Sequence, residues 1–381
     1  MTTPLRRPTL LGPLFALALT ATLALHAQDA APLQSWIASD GRVIQAKFVK
    51  LDGESVVIEK DGARFAVPFA KLSPASVALA RKLPPLPESS PGESSTQPPP
   101  SAPVGFALIP AGTFTMGDSL DGDGDATPHQ VNVSAFYMQI DEINKAQWDA
   151  VRSWGLKHGY PDIATNLAKD VGTATAKAPD HPVQSVSWYD IVKWCNAHSE
   201  KDGLTPCYTL DGSVYRMGSK PPDCNWSATG YRLPSEAEWE KAARGGLSGK
   251  RFPWGDTITQ RQANYGSDKS VSYDLNPTRG AHPTYKSGNP PFTSPVGKFP
   301  SNGYGLHDMA GNVGEWCWDW YGPYPASEET DPRGAATGSC RVGRGGGWNN
   351  GAKSCRVAAR GFGIPTNSGT VGFRTARSLG P

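Results

Sequence analysis

Two acidic side chains and a glycine-containing turn lie close together between Asp308 and Glu315, in the segment DMAGNVGE. Carboxylates combined with turn carbonyls form the oxygen-rich and flexible cage that hard cations like calcium prefer. The segment is therefore a candidate cation site. The alternative is that both acids cap turns and pair with arginines.

A second acidic run begins at Asp118 and continues through Asp121, Asp123 and Asp125. It is similar to the first half of an EF-hand loop, which needs glycine at its sixth position and a bidentate Glu at its twelfth. Counted from Asp121, those positions hold Ala126 and Asn132. The run is therefore interpreted as an exposed, solvated acidic loop. None of the seven histidines falls in a metal-binding pair such as H-x-x-x-H.

Several longer segments occur in a fixed order. They are YRLPSEAEWEKAARGG at 231–246, FPWGD at 252–256, NGYGLHDMAGNVGEW at 302–316, RVGRGGGWNNGAKSCRVAAR at 341–360 and VGFRTAR at 371–377. Together they resemble the formylglycine-generating enzyme (sulfatase-modifying factor) family. The resemblance implies an α+β fold, irregular and loop-rich, related to C-type lectins. It also implies a structural calcium held by Asp308 and Glu315 with backbone oxygen from Gly311 and Val313.

The resemblance implies a reactive site as well, because some members oxidise a substrate cysteine to formylglycine with copper and oxygen. Their copper is held by two cysteines five residues apart, and two thiolates suit soft Cu(I). Here Cys355 matches the second cysteine, whereas Asn350 stands at the first. Gly347 replaces a serine that assists oxygen chemistry, and Gly314 replaces a tryptophan. An amide is a poor ligand for Cu(I), so weak copper binding is expected.

The elements that position these residues are short. Gly and Pro make about a fifth of the chain, which favours turns and loops. Capping patterns predict helices after Asn144, Ser187 and Ser235, each packing one apolar stripe. FALIPAGTFTMG is expected to form a strand pair turned at Pro110-Ala111-Gly112, followed by a strand in VNVSAFYMQI and a final strand from Gly372 to Arg377.

The first residues predict export. Arg6 and Arg7 precede an apolar run ending near Leu25, with a small residue at Ala27, as in a secretory signal over 1–27. The mature protein would start near Gln28, outside the cytoplasm: periplasmic, secreted or at the cell surface. A retained anchor is the alternative, although the run is short for spanning a bilayer.

The six cysteines permit three disulfides in an exported protein. Cys207 and Cys224 flank a hairpin-like segment around Asp211-Gly212 and are the first expected pair. Cys340 and Cys355 could also pair, which would compete with a catalytic role for Cys355.

Three regions precede or form the main domain. Residues 34–83 contain three Asp-Gly turns that predict four strands, with Ile44, Ala46 and Phe48 beginning a shared apolar face. This module resembles the SLA homology domain, a small SH3-like β-barrel. Residues 84–104 are a Pro/Ser-rich linker. The sulfatase-modifying factor domain is expected over 105–378.

The net charge of +2, without clustered Lys and Arg, argues against nucleic-acid binding. Three functions remain open: an exported, non-oxidising module that binds a protein, peptide or carbohydrate; a formylglycine-generating oxidase; or another metal-dependent oxidase on the same scaffold. If exposed, Trp348, Trp318, Trp320 and Tyr321 could stack on sugar rings, the alternative being that they pack in the core. After signal cleavage no membrane span is expected.

Overall fold

The computed structural model describes residues 33–39, 43–60, 63–83, 102–163, 176–325, 327–366 and 369–380. The chain divides into two compact units, Met1–Pro98 and Pro99–Pro381. The proposed signal at 1–27 and most of the linker lie outside the described residues. No helix in the described part is long and apolar enough to span a bilayer.

The first unit is an antiparallel meander followed by a short helix. Its elements are β1 (Leu33–Ile37), β2 (Val43–Asp52), β3 (Ser55–Lys60), β4 (Ala63–Pro68), a 3₁₀ turn (Phe69–Lys71) and α1 (Pro74–Ala80). The strands pair in the order β1-β2-β3-β4, so the four expected strands are present. Within the described residues no pairing of β1 with β4 closes the sheet. The SH3-like barrel therefore remains a prediction.

The core of this unit forms on one face of the meander. Ala46, Phe48, Val56 and Ile58 are buried as the alternation predicts. Ile44 is 38% exposed, so its expected place in the core is wrong. It is the second residue of β2 and lies at the margin of the sheet, where few side chains cover it.

The second unit contains four small sheets. Its strands are β5 (Phe106–Ile109), β6 (Gly112–Met116), β7 (His129–Val133), β8 (Phe136–Gln139), β9 (Tyr208–Leu210), β10 (Ser213–Val214), β11 (Asp223–Cys224), β12 (Gly314–Trp320), β13 (Glu329–Thr330), β14 (Arg341–Arg344), β15 (Gly361–Gly363), β16 (Val371–Gly372) and β17 (Ala376–Ser378). The sheets have the orders β15-β14-β12-β16, β13-β7-β6, β17-β8-β5 and β10-β9-β11. The few helices and long loops confirm the expected irregular α+β class.

Three helices pack between these sheets: α2 (Lys145–Gly155), α3 (Trp188–Lys201) and α4 (Glu236–Arg244). Each begins at the predicted N-cap, since the side chains of Asn144, Ser187 and Ser235 accept hydrogen bonds from backbone N–H groups three residues on. In α2 and α4 the reciprocal bond completes a capping box.

The expected strand pair turned at Pro110 is wrong. β5 pairs with β8, and β6 pairs with β7 in another sheet, so FALIPAGTFTMG and VNVSAFYMQI form one ribbon broken on both sides. The break follows from Pro110, which has no N–H for the ladder. The ammonium of Lys241 donates to the carbonyl of Gly112 across 2.6 Å at this break. The final strand, expected from Gly372 to Arg377, is instead split into two short strands, β16 and β17.

Helix α4 does not pack a single stripe, which corrects the amphipathic prediction. All nine of its residues are buried, including Glu236, Glu238 and Glu240. Buried carboxylates are tolerated only when they are paired. Arg232 lies 2.7 Å from Glu238, Arg360 lies 2.7 Å from Glu236, and both Arg244 and Arg344 contact Glu240.

We expect Glu240→Gln to destabilise the domain by about 3–5 kcal/mol, because it leaves two buried guanidinium groups without their carboxylate. Burial opposes ionisation, yet Arg244 and Arg344 hold the pKa of Glu240 below its usual value. Urea unfolding measures the change. Asp149→Asn is the control, because Asp149 and Lys145 form a more exposed pair that should contribute less than about 1 kcal/mol. Equal effects of the two substitutions would contradict this account.

Candidate functional site

A groove of about 420 Å³ lies where the start of β12, the end of β14 and the loop after β14 meet. Its lining includes Gly314, Gly346, Asn350, Arg360 and Phe362. Five glycines contribute to the lining, so backbone is accessible along part of it. Phe362 on the edge strand β15 is 62% exposed and provides an apolar wall.

Two positions of the loop below the groove require glycine. Gly345 and Gly346 have φ values of 86° and 65°, in the left-handed region that side chains disfavour. A Cβ on Gly346 would also lie 2.9 Å from the carbonyl oxygen of Ser354 and 3.1 Å from Sγ of Cys355. Cys355 therefore packs directly beneath this glycine.

Cys355 is fully buried, and it belongs to a core cluster with Phe252, Tyr265 and Ala352. Burial, and then the nearby Asp274 carboxylate, raise the pKa of the Cys355 thiol to about 12. Without a bound metal the thiol is therefore protonated near neutral pH and is a poor nucleophile. Sequence reasoning did not single out Asp274, whose oxygens accept hydrogen bonds from Tyr265 and Ser267.

Asn350 lies in a different environment, because it is exposed and lines the groove. Its Oδ1 accepts the backbone N–H of Gly347 at 3.0 Å, so the amide stabilises the turn. At Gly347 a Cβ would lie 3.2 Å from the oxygen of Asn312 and 3.2 Å from the nitrogen of Gly314. The backbone around position 347 must shift to admit a serine.

Gly314 is the one departure that leaves open space. A Cβ there would have only ordinary contacts, 3.8 Å from the Arg344 oxygen and 3.9 Å from Val371. Because relatives of the resembled family carry tryptophan at this position, the glycine leaves room at the groove that a large ring would take up.

The interpretation of the acidic run as an exposed, solvated loop is wrong for Asp118, Asp121 and Asp123, which pair with Arg356, and holds only for the exposed Asp125. Arg356 is fully buried and forms ion pairs with Asp118, Asp121 and Asp123, at 3.4 Å and 2.9 Å for the first two. Lys353 also contacts Asp123 at 2.8 Å. These three acids therefore lie at the wall of the groove, because they neutralise the buried guanidinium of Arg356.

The predicted calcium residues lie on the turn that leads into β12. The carboxylate of Glu315 is buried, accepts two hydrogen bonds at 2.7–3.0 Å on its Oε1 from Arg374, and accepts the indole N–H of Trp239 at 2.8 Å. Asp308 is also buried; its Oδ2 accepts the N–H of Gly297 at 2.7 Å, while Oδ1 has no partner. Burial raises the pKa of Asp308 to about 6.

The sequence did not reveal a third acid in this region, Glu142. It is fully buried and accepts hydrogen bonds from the Asn312 side chain and the Val313 N–H. Burial, then the charges of Asp308 and Glu315, raise its pKa well above the usual value. A charged pair, Asp141-Glu142, directly after the apolar strand β8 was the available signal.

The charge balance of this region fits a cation, since three buried carboxylates, those of Glu142, Asp308 and Glu315, act on the guanidinium of Arg374. The donor arrangement fits less closely, because Glu315 already serves Arg374 and Trp239. In the described part of the chain no three His, Cys, Asp or Glu side chains are arranged to hold a metal. A calcium ion here would therefore depend on backbone oxygens, as the predicted set with Gly311 and Val313 requires.

The structure contains no disulfide, and all six cysteines are free. The expected Cys207–Cys224 and Cys340–Cys355 pairs are thus not formed in it. Cys207 and Cys224 belong to adjacent segments of one sheet, since Cys224 lies opposite Tyr208. Cys340 is half-buried and Cys355 fully buried.

Of the candidate aromatic residues for sugar stacking, Trp348 packs in the core, whereas Trp318, Trp320 and Tyr321 are partly buried. Trp348 is buried and donates to Gln184. Trp318 and Trp320 flank the guanidinium of Arg341, at 5.1 Å and 3.5 Å from their ring centres. Tyr321 alone lies beside the groove, with its ring 4.6 Å from Phe362.

The sulfatase-modifying factor enzyme 1-like domain matches residues 92–379, most of the second unit and more than half of the chain. The chain belongs to this family. Formylglycine-generating enzyme of Bos taurus is 34% identical over 301 residues, covering 73% of this chain and 75% of that protein.

Two further similarities extend this family assignment. Chaperone protein LppX of Paenibacillus barcinonensis is 30% identical over 266 residues, covering 66% of this chain and 81% of its own length. The solved structure of Treponema denticola variable protein 1 is 29% identical with a TM-score of 0.56, covering 72% of this chain and 94% of that one. The family fold expected from the sequence motifs is confirmed.

Proposed function

We propose that this chain is an exported, non-oxidising member of the sulfatase-modifying factor family whose groove binds a protein or peptide ligand. One observation carries the proposal: the two residues at the copper-ligand positions lie in different environments, one at the surface and one in the core. Asn350 lies on the groove as a turn-forming amide, whereas Cys355 lies in the core beneath Gly346.

The electrostatics support the absence of oxidase chemistry. A thiolate is the form that binds Cu(I), and the burial that raises the pKa of Cys355 makes the loss of its proton to a metal more costly. An amide at position 350 adds a hard, neutral donor. Copper, if bound, would supply oxygen activation, but these two residues present neither of the soft anionic ligands that it needs.

The groove itself favours an extended ligand. The glycines of its lining let a backbone approach closely, and the edge strand β15 with exposed Phe362 offers both strand pairing and an apolar contact. The name of the chaperone relative LppX agrees with a protein ligand, since a chaperone binds protein. A carbohydrate is less well supported, because none of the candidate rings lines the groove and Tyr321 only packs beside it against Phe362.

We expect the purified protein not to convert the cysteine of a C-x-P-x-R peptide to an aldehyde in the presence of copper and reductant. Mass spectrometry of the peptide measures the conversion. The aldehyde mass, lost again in Cys355→Ser, would instead establish the formylglycine-generating oxidase as the function.

Asn350→Cys is the matched variant for this experiment, because position 350 is exposed and its change disturbs only the bond to Gly347. It should increase Cu(I) affinity modestly at most, since Cys355 remains buried. Adding Gly347→Ser is a harsher test, as its Cβ crowds the backbone at 3.2 Å.

We expect Gly314→Trp to abolish ligand capture by the groove, because a ring at position 314 takes up the open space there. A displayed random-peptide library selected on the parent protein should yield sequences that fail to bind this variant. Leu275→Trp is the control, since Leu275 is exposed and does not line the groove. Sequences that bind all three proteins equally would locate the binding surface elsewhere.

We further propose a structural calcium at Asp308 and Glu315 with the carbonyls of Gly311 and Val313. The unpartnered Oδ1 of Asp308 and the excess of buried carboxylates over Arg374 support it. Calcium at 100 times its dissociation constant would add about 2.7 kcal/mol of stability. A melting curve unchanged by chelator, or a Glu315→Ala variant that responds to calcium like the parent, would contradict the site.

Export remains part of the proposal and rests on the sequence signal ending near Ala27. In an oxidising compartment the Cys207–Cys224 pair is the first disulfide expected, since the two residues lie on adjacent strand segments. N-terminal sequencing of material from outside the cytoplasm should find a start near Gln28.

A further inference from the structure

A second cavity, of about 270 Å³, lies beyond the groove, and Arg360 lines both. The ends of β12 and α4 meet here beneath the proline-containing loops at 322–325 and 332–335. Its walls include Met116, Pro325 and Pro332, which are apolar, and three acids, Asp319, Glu236 and Glu329. The oxidase chemistry of the family and the proposed calcium involve none of these residues.

Asp319 lines this cavity with one of its two carboxylate oxygens lacking a hydrogen-bond partner among the described residues. It is 3% exposed, and its Oδ2 accepts the N–H of Glu236 at the start of α4 across 2.8 Å. Its Oδ1 accepts no hydrogen bond from the described residues. Capping the helix needs only one oxygen, so the second is available to a ligand. Gly334 permits this packing, because a Cβ there would lie 2.9 Å from Oδ1.

The charges around the cavity favour a cation. The guanidinium of Arg360 donates hydrogen bonds to both carboxylate oxygens of Glu236, at 2.7 Å and 2.8 Å. It also donates to the carbonyls of Asp125 and Gly322. The two groups neutralise one another. Asp319 and the half-buried Glu329 then remain without a bonded counter-ion in the cavity wall. An anion would find no free cationic donor at Arg360.

Other charged groups around Asp319 do not replace a ligand. Arg333 is directed to Glu238 at 3.5 Å, and Arg341 is enclosed by tryptophan rings. His129 lines the cavity, but its ring packs at a tilt against Tyr324, with the ring centres 4.6 Å apart, and contacts the carbonyl of Thr127. Burial, then the charge of Glu236, raise the pKa of Asp319 to about 8, although the nearby charge of Arg333 lowers it.

We propose that this cavity binds a protonated primary amine on a short alkyl chain, with Asp319 as its carboxylate partner and the proline and methionine walls around the chain. The ammonium donates to Oδ1 of Asp319, whose carboxyl releases its proton to solvent as the amine enters. A lysine side chain or a free alkylamine has this chemistry. The inference does not depend on what the groove binds.

The probe is pentylammonium, with 1-pentanol as the uncharged compound of the same length, measured by calorimetric titration of the full chain at pH 7. We expect saturable binding of the amine below about 10 mM, a range suited to so few atoms, and none of the alcohol. In buffers of different ionisation enthalpy the heat should reveal proton release. Equal binding of both compounds, or no binding of the amine, overturns the proposal.

Asp319→Asn should weaken amine binding at least about tenfold, because it keeps the helix cap but removes the charge. Glu328→Gln is the matched control, since Glu328 is exposed and does not line the cavity, and it should change affinity much less. An Asp319→Asn variant that binds like the parent overturns the proposal.

The stability of Asp319→Asn separates loss of the site from loss of the fold. The folded pKa of Asp319, about 8, exceeds the unfolded value of about 3.9, so the folded state holds a proton that the unfolded state has lost. Parental stability therefore falls across this pH window, and Asp319→Asn should melt at or above the parent at pH 8. If the variant does not fold, Ala335→Phe serves instead, since it fills the cavity mouth and should also abolish amine binding.

Discussion

Neutralisation of the buried carboxylates of α4 is the constraint on which the second unit depends. Glu236, Glu238 and Glu240 are inaccessible to water, and their counter-ions come from β14, from the loop after it and from the segment before α4. Arg344 and Arg360 are also part of the groove wall. The same ion pairs thus fix the helix in the core and set the shape of the surface above it, which couples the stability of the fold to the geometry of the site.

The sequence predicted what local chemistry decides. Asn144, Ser187 and Ser235 were identified as helix caps because a cap and its partner are three residues apart. The full burial of α4 escaped prediction, since it depends on arginines about a hundred residues away. The broken ribbon at Pro110 was not predicted for the same reason, because the partner of a strand can lie far from it in the sequence.

The candidate site divides in a similar way. The motif spacing located the loop that carries Asn350 and Cys355, and the family fold that it implies is correct. Spacing could not show that Cys355 faces inward beneath Gly346, because the direction of a side chain in a glycine-rich loop depends on left-handed backbone angles. Glu142 and Asp319 were missed because a buried acid, seen in sequence alone, is identical to an exposed one.

The internal pairing of Arg356 and Arg360 has a kinetic consequence for any ligand of the groove. Cations that already face Asp118, Asp121 and Glu236 produce little field beyond the surface, so they cannot steer a charged partner from a distance. Encounter with the groove then proceeds at the unsteered diffusive rate and responds weakly to ionic strength. Recognition here is decided after contact, by the fit of shapes and by how long the partner stays.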